Sequence, residues 1–552
     1  MATPSPPPVQ GMAKTETIQV EEQNASSDST PPPTAHIHSV SDEISLNQGN
    51  EAVLLRIDDE KGQGAAGALK LAKDGHTVLI PQPSDDPYDP LNWSWGKKHM
   101  ILFIVALSAF CGDFGSGAGI PCIVPQGAEW NMSPAHVNYA GNLNVIMLGI
   151  GGILWIPPIY FWGRLPVLFW STLLGTFFTL GCTVTDSFDT FYALRALMGL
   201  TLTACQTIGL SFIKDMFFFH EHARKIGLWA SLFLLAPYCG PMFGNFIIAG
   251  TGEWRNVFWL VFAICCADLV LIVLFADETW YRRDIPADQQ PARPSGGISR
   301  ILRLVGIWQI QHHKDYYLSV LTSFHRLFAV LIKPVILPTL LYYAMSFMWA
   351  VGINITSSLL LGTPRDLGGY GFSARAVGYV YFTPLVAVSL GELFGHFFND
   401  FLFNRYLVRH SGIFKPEARL PPCYIAAFLM IPGLIIVGQA LENLLHYSAI
   451  VMGWGMYVFG VMVASVAITA YALDCYPNGS GEVSAFLNFA RTAGGFSVGY
   501  FQQPWGEESG YGVSFGLQAV IVAVATVVLT GIFVYGERLR KRGGPLMFKG
   551  SS

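Results

Sequence analysis

A carboxylate inside an apolar run can carry a proton reversibly or attract a cation, and the sequence places several charged residues in such runs. In "AFCGDFGSGAGIPC" (109–122), Asp113 follows the apolar stretch 100–108. Burial in hydrocarbon costs such a group about 2.5–3.5 kcal/mol or more, so Asp113 must face a cavity, a partner or water. Glycines at 112, 115, 117 and 119 thin the same stretch and give access to it. Glu392 in "SLGELFGHFF" is a second candidate for protonation, and Asp268 is a third buried acid for which the sequence offers no partner. In "LRALMGLTLTACQT", Arg195 lies about 9 Å into a helix, where a guanidinium must pair or meet water. Gly199 and Gln206 follow on that helix, at spacings suited to close packing and a polar wall. Asn354, with Tyr343 and Trp349 nearby, and Trp454 with Tyr457 could form walls for cation–π contact, although packing is the commoner fate of such aromatics. "HEH" at 220–222 has too loose a spacing for a metal site, and none is expected. No G-x-S-x-G, H-E-x-x-H or phosphate-cradling motif occurs, so an enzyme or an ATP-driven pump is not indicated.

These residues need a membrane to make sense of them. Of 552 residues, 52% are hydrophobic and 13% charged, about half the charged share of a soluble domain. The net charge of −4 argues against a nucleic-acid partner. Nine cysteines form no C-x-x-C pair, which leaves neither a disulfide scaffold nor a zinc site. Residues 1–96 are rich in Pro, Ser, Thr, Asp and Glu and read as a disordered tail without a signal peptide. Twelve apolar stretches of spanning length follow, at 99–121, 137–160, 167–186, 190–213, 226–249, 255–276, 334–358, 375–398, 421–441, 447–473, 483–503 and 513–535. They make an all-α integral membrane protein of two six-helix bundles, 97–276 and 334–536, joined by a linker at 277–333 and closed by a basic tail at 537–552. In the linker, 298–310 and 319–333 space apolar residues at helical intervals between basic ones, as an interfacial helix does. With the N-terminus inside, the inner flanks and loops hold twenty-three Lys and Arg against three outside, so both termini are expected to be cytosolic. The sequon Asn131-Met132-Ser133 is then external, with Pro134 directly after it disfavouring glycosylation.

Several local patterns resemble the major facilitator superfamily, in particular fungal members of the twelve-helix drug:proton antiporter type. "IKDMFFFHEHARKIGLW" (213–229) is similar to a sequence of the fungal subgroup that includes the yeast histidinol and polyamine transporter. "DPLNWS", "FWGRLPVL", "LRALMG", "DCYPNGSGE" and "LNFAR" carry the resemblance further, from about residue 85 to 535. It implies that the first, fourth, seventh and tenth helices line a central cavity, with Asp113 facing it and Arg195 tied to proton coupling. "LAPYCGPMFGNF", with Gly240, Pro241 and Gly244, resembles a motif of proton antiporters, although Asn245 stands where a second glycine is usual. Gly163 and Arg164 resemble a gating latch whose usual preceding acid is missing from "WIPPIY", so the latch there is weaker or differently partnered. The matching loop in the second half has Asp400, Arg405 and Arg409, and Asn488 and Arg491 sit near the cytosolic end of the eleventh span with gating or packing roles equally open.

The expected function is proton-coupled transport of a small organic molecule, a drug, a secondary metabolite or a polyamine-like cation, by alternating access, with export favoured. Uptake of polyamine-like cations is the alternative, as is a membrane sensor that binds a nutrient without moving it. The expected partners are the bilayer, the substrate and protons. No cofactor beyond the proton gradient is expected, and the chain is expected to act as a monomer in the plasma membrane.

Overall fold

The computed structural model describes Lys70 and residues 79–293, 296–312, 316–365, 369–410, 415–546 and 548. The tail expected at 1–96 therefore lies largely outside the described residues, as does Lys549. Twelve long helical segments run back and forth: α1 (Trp95–Trp130), α2 (Pro134–Phe161), α3 (Arg164–Val184), α4 (Phe188–Met216), α5 (Phe219–Thr251), α6 (Arg255–Phe275), α7 (Ile336–Gly362), α8 (Ala374–Arg409), α9 (Pro416–Glu442), α10 (Tyr447–Cys475), α11 (Ser480–Ser509) and α12 (Tyr511–Gly543). Among the described residues, eleven are long and apolar enough to cross a membrane. The exception, α11, is 30 residues long but carries Glu482, Asn488, Arg491 and Gln502 on a buried face. Its polarity has a physical reason: α11 packs against α2 of the other bundle, and its side chains serve that junction more than lipid.

Within the first bundle α1 packs on α5 and α2 on α4; within the second, α9 packs on α10 and α7 on α11. The bundles meet along two seams, α2 with α11 and α5 with α8. The linker, the segment before α1 and the segment after α12 all gather on one face, called here the linker face. Residues 84–92 are ordered there, with Asp86 accepting from the Tyr281 hydroxyl at 3.0 Å and Asp89 from Arg283 at 2.9 Å.

In the linker the stretch expected at 319–333 is one helix, Val320–Leu331, whereas the stretch expected at 298–310 is broken in two. Among the described residues the broken stretch forms Gly297–Val305 and Ile307–Gln311. The break falls at Gly306, whose φ of 96° lies in the left-handed region and where a Cβ would stand 2.2 Å from Trp162 Nε1. Leu321, Phe328 and Ile332 point outward while Arg326, Leu327 and Val330 are buried. That is how a helix lying in a membrane interface divides its faces.

Candidate functional site

The proline pair in α5 begins the site. Proline has no N–H, so Pro241 leaves the Pro237 carbonyl without its helical donor. Asn354 of α7 supplies one, its Nδ2 donating to Pro237 O at 2.9 Å across the gap between bundles. Asn245 Nδ2 returns to Pro241 O at 2.8 Å, a use for the residue that stands in place of a glycine. Gly240 lets the backbones of α5 and α1 close, since a Cβ there would lie 2.4 Å from Phe114 O, and Gly244 packs against Pro121.

Between the bundles lies a cavity of about 60 Å³, lined by Asp113, Asn138, Arg195, Tyr238, Asn354 and Arg491 among others. Asp113 is buried and accepts from Arg491 Nη2 at 2.9 Å, an ion pair between α1 of one bundle and α11 of the other. Arg491 Nη2 also lies 2.9 Å from Asn488 Oδ1 and 3.3 Å from Gln206 Oε1. Gln206 reaches Thr203 Oγ1 at 3.3 Å and donates to Ala109 O at 3.4 Å. Four of the expected residues, Asp113, Gln206, Asn488 and Arg491, thus share one network, and Arg491 lies deep in the interface, away from the helix end where the sequence had it. The span as read began at 483, which made it look shallower.

Arg195 is also buried at the cavity wall, and its partners differ in kind. It donates to the carbonyls of Gly115 and Ser116 at 2.8 and 3.0 Å, with Met198 Sδ at 3.8 Å. Those carbonyls lie in the last turn before the α-helical run ends at Ala118 and passes into a 3₁₀ turn at Ile120–Cys122.

The remaining candidates lie elsewhere. Glu392 is buried in α8 and faces His396 Nε2 at 3.5 Å, next to Gly227 of α5, away from the cavity lining. Trp454 and Tyr457 do not reach the cavity, because they point into their own bundle. Trp454 meets Tyr381 edge-on at 5.4 Å, and the Tyr457 hydroxyl donates to Ser346 O at 2.6 Å. Asp268 finds the partner that the sequence could not name, accepting from Ser108 Oγ of α1 at 2.6 Å.

Two layers of charge close over the cavity at the linker face. Arg164 opens α3 with its Nε 2.6 Å from Asp215 Oδ2 at the end of α4, and its guanidinium lies over the Trp280 ring at 4.6 Å. Glu278, in the linker, accepts from the backbone N–H groups of Arg164 and Leu165 at 3.1 and 3.2 Å and so caps α3. Gly163 makes room for it, with φ 95° and a would-be Cβ 2.5 Å from Glu278 Oε2. The acid missing from "WIPPIY" is replaced by these two. In the second half Arg419 is the hub, bound to Asp474 and to Asn399 at 3.2 Å, with Asp400 at 3.6 Å. Arg405 and Arg409 sit instead on a groove at the linker face beside Lys415 and Glu537.

Crossing contacts join the halves on both faces. At the linker face Lys214 Nζ donates to Ser480 Oγ at 2.6 Å, and Arg326 of the linker pairs with buried Glu482 of α11 at 2.9 Å. At the far face Tyr139 meets Tyr500 at 5.1 Å, and Phe246 meets Tyr379 at 5.2 Å. Asp215, Glu278, Arg419, Lys214, Arg326 and Tyr238 were not singled out from sequence. Their roles depend on contacts between distant segments.

Comparison with known proteins agrees with this architecture. The chain is 25% identical to the protein named Efflux pump radE of Floropilus chiversii over 496 residues, 87% of this chain and 89% of that one. It is 22% identical to MFS antiporter QDR3 of Candida albicans, over 84% of this chain and 80% of that one. Among solved structures its fold resembles the human organic anion transporter MFSD10, with a TM-score of 0.51 at 15% identity over 78% of this chain and 99% of that one. It also resembles the xylose transporter XylE of E. coli in a partially occluded inward-open conformation, with a TM-score of 0.54 at 13% identity over 79% of this chain and 99% of that one. At such identities the likeness concerns the fold alone. A model of the Major Facilitator Superfamily matches residues 102–499, and with twelve helices in two bundles around a shared cavity, the chain belongs to that superfamily: it is a multi-pass membrane transporter.

Proposed function

We propose that this protein carries a small organic molecule through the membrane by alternating access, and that protonation of Asp113 is the coupling event. One observation carries the reading: Asp113 and Arg491 form a buried ion pair that joins the two bundles at the cavity. A proton on Asp113 cancels one partner's charge and weakens the bond between bundles. A ligand moves a two-state equilibrium only through such a difference between states. Rocking of one bundle against the other around a central site is the motion this architecture supports.

Export is the direction that the likeness to the protein named Efflux pump radE supports, and the likeness to MFS antiporter QDR3 supports exchange for another species. Drugs and secondary metabolites fit an apolar cavity with a few polar groups, as do polyamine-like cations if Asp113 is freed from Arg491. The Lys and Arg bias places the linker face in the cytosol. The protein is proposed to work as a monomer in the plasma membrane.

Flux into proteoliposomes under an imposed pH gradient tests the coupling, with labelled spermidine, a lipophilic cation dye and an aromatic carboxylate as cargo. The reading expects Asp113→Asn to abolish gradient-driven flux while sparing counterflow exchange. Gradient-driven flux at the wild-type rate in Asp113→Asn would move the coupling elsewhere, with Glu392 and His396 next to be tried.

A further inference from the structure

Three charged side chains face the cavity, and their charges do not cancel. Arg491 is matched by Asp113, whereas the partners of Arg195 are two carbonyls, a thioether and the face of the Phe258 ring at 5.5 Å. Among the described residues no carboxylate forms an ion pair with Arg195. Arginine keeps its proton at any physiological pH. With Asp113 ionised, the cavity therefore holds one net positive charge within the membrane span, where an uncompensated charge is expensive. The wall also carries unused hydrogen-bonding capacity. Gln126 Nε2, Asn138 Oδ1 and Asn354 Oδ1 are buried, line the cavity and have no partner. Buried polar atoms are normally satisfied, so three orphans around one cavity call for an explanation. Ile120, Phe347 and Val351 supply apolar surface beside them.

We infer that the substrate is an amphipathic organic anion, an apolar body bearing a carboxylate-like group, which Arg195 receives and which Arg491 also holds once Asp113 is protonated. This rests on the proposed reading of the cavity as the transport site and of Asp113 as the proton site. An anion supplies the missing negative charge, and Gln126 Nε2 can donate to it, while Asn138 Oδ1 and Asn354 Oδ1 accept and fit donor groups on the rest of the substrate. A cation would instead meet two guanidinium groups.

The sign of the coupling follows. The charged and titratable groups around Asp113 are Arg491 from α11, Tyr238 from α5 and Tyr343 from α7, with the uncharged Gln206 from α4 alongside. An ionised Asp113 competes with the substrate for Arg491; a protonated one releases it. Proton and anion therefore bind cooperatively, each tightening the other by the same factor. The two cross together, so an acidic exterior drives uptake, and on this point the inference departs from the export direction proposed above.

Binding to the purified full-length chain in nanodiscs tests this with three probes of one size: 2-naphthoate, 2-naphthamide and 2-naphthylmethylammonium. In wild type naphthoate is expected to bind about tenfold or more tighter than the other two, and about tenfold tighter at pH 5 than at pH 7.5, within the usual range of coupling. Asp113→Asn frees Arg491 permanently and is expected to bind naphthoate at both pH values at least as tightly as wild type does at pH 5. This gain cannot come from misfolding. Arg195→Gln is expected to lose about tenfold or more. The inference is overturned if the ammonium or the amide matches naphthoate, if naphthoate does not bind, or if Asp113→Asn binds it more weakly. Gradient-driven flux of the ammonium probe that depends on Asp113 would keep the proposed transport and reject the anion. Naphthoate binding that depends on Arg195 but is indifferent to pH and to Asp113→Asn would overturn the joint passage of proton and anion.

Discussion

The two halves carry the same latch at the linker face, built to different depths. In each, an arginine at the start of the third helix of its bundle reaches an aspartate near the end of the fourth, Arg164 to Asp215 and Arg419 to Asp474. In the first half the arginine side chain is 9% exposed, covered by Trp280, and the helix it opens is capped by Glu278 from the linker. In the second half the arginine is 18% exposed, and its second acid, Asp400, is 58% exposed. Water screens charge, so the same residues bind more weakly where it enters. The comparison assigns the halves different work. The linker covers the latch of the first bundle through Glu278 and Trp280, whereas the latch of the second bundle stands open to water.

Removing one partner of each latch gives the largest expected effects. Arg164→Met leaves Asp215 without its guanidinium in a covered site and is expected to destabilise by about 3 kcal/mol. Arg419→Met, in the wetter latch, is expected to cost about 1 kcal/mol. Thermal unfolding of the two variants in one detergent measures the difference, and equal shifts would break the comparison. Glu278→Gln sharpens it. The change keeps the shape but removes the charge at the α3 N-terminus, where two N–H groups, Trp280 N and Gln309 Nε2 all donate to that carboxylate. About 2 kcal/mol is expected to be lost, against less than about 0.5 kcal/mol for Asp400→Asn on the exposed side.

How much of this could be read in advance depends on the range over which each feature is encoded. The spans were legible because lipid demands some twenty apolar residues in sequence, and even the polar α11 stood out by its position between two clear neighbours. Burial of Asp113 and Arg195 was legible for the same reason. Their partners were not. Asp113 and Arg491 are 378 residues apart, and Arg164 lies 51 from Asp215 and 114 from Glu278, so no local pattern links them. The missing acid in "WIPPIY" could be seen, but not what replaced it. Trp454 and Tyr457 show the converse limit: residue type suggests what a ring could bind, while the face it occupies is decided by packing. Gly306 was visible as a residue, but its break follows from Trp162, far away in the chain.

Crossing contacts show a smaller effect, on motion more than on stability. Lys214 lies next to the latch aspartate Asp215 but reaches into the other half, with Ser480 Oγ at 2.6 Å and Pro477 O at 3.2 Å. If the second bundle is the freer one, loosening this tie should show on its side. Lys214→Met is expected to remove about 1 kcal/mol of closure, which raises opening about fivefold. Amide hydrogen exchange over residues 478–486 should quicken by that factor while exchange in α3 stays as it was. Faster exchange in α3 instead would mean that the first bundle is the one released.

The clamp before α1 is tested by pH. Asp89 is buried before α1, where it accepts from Arg283 at 2.9 Å and from the backbone N–H groups of Leu91 and Ser84 at 3.0 Å each. Burial alone would raise its carboxyl, but Arg283 and the two amides outweigh it and hold the group below the usual carboxylate range. A lowered carboxylate contributes its stability in full above the unfolded value of about 3.9 and loses it as pH falls through the lower, folded value. Asp89→Asn is therefore expected to be less stable than wild type by about 1 kcal/mol, by the same margin at every pH from 7.5 down to 5, and to converge with it only below about pH 4. Thermal unfolding of both proteins across that range measures the margin. Arg283 also donates to Asp215 O at 3.2 Å, so this clamp and the first latch form one assembly. A margin for Asp89→Asn that changes between pH 5 and 7.5 would mean that Arg283 and the two amides do not hold this carboxylate below its usual range.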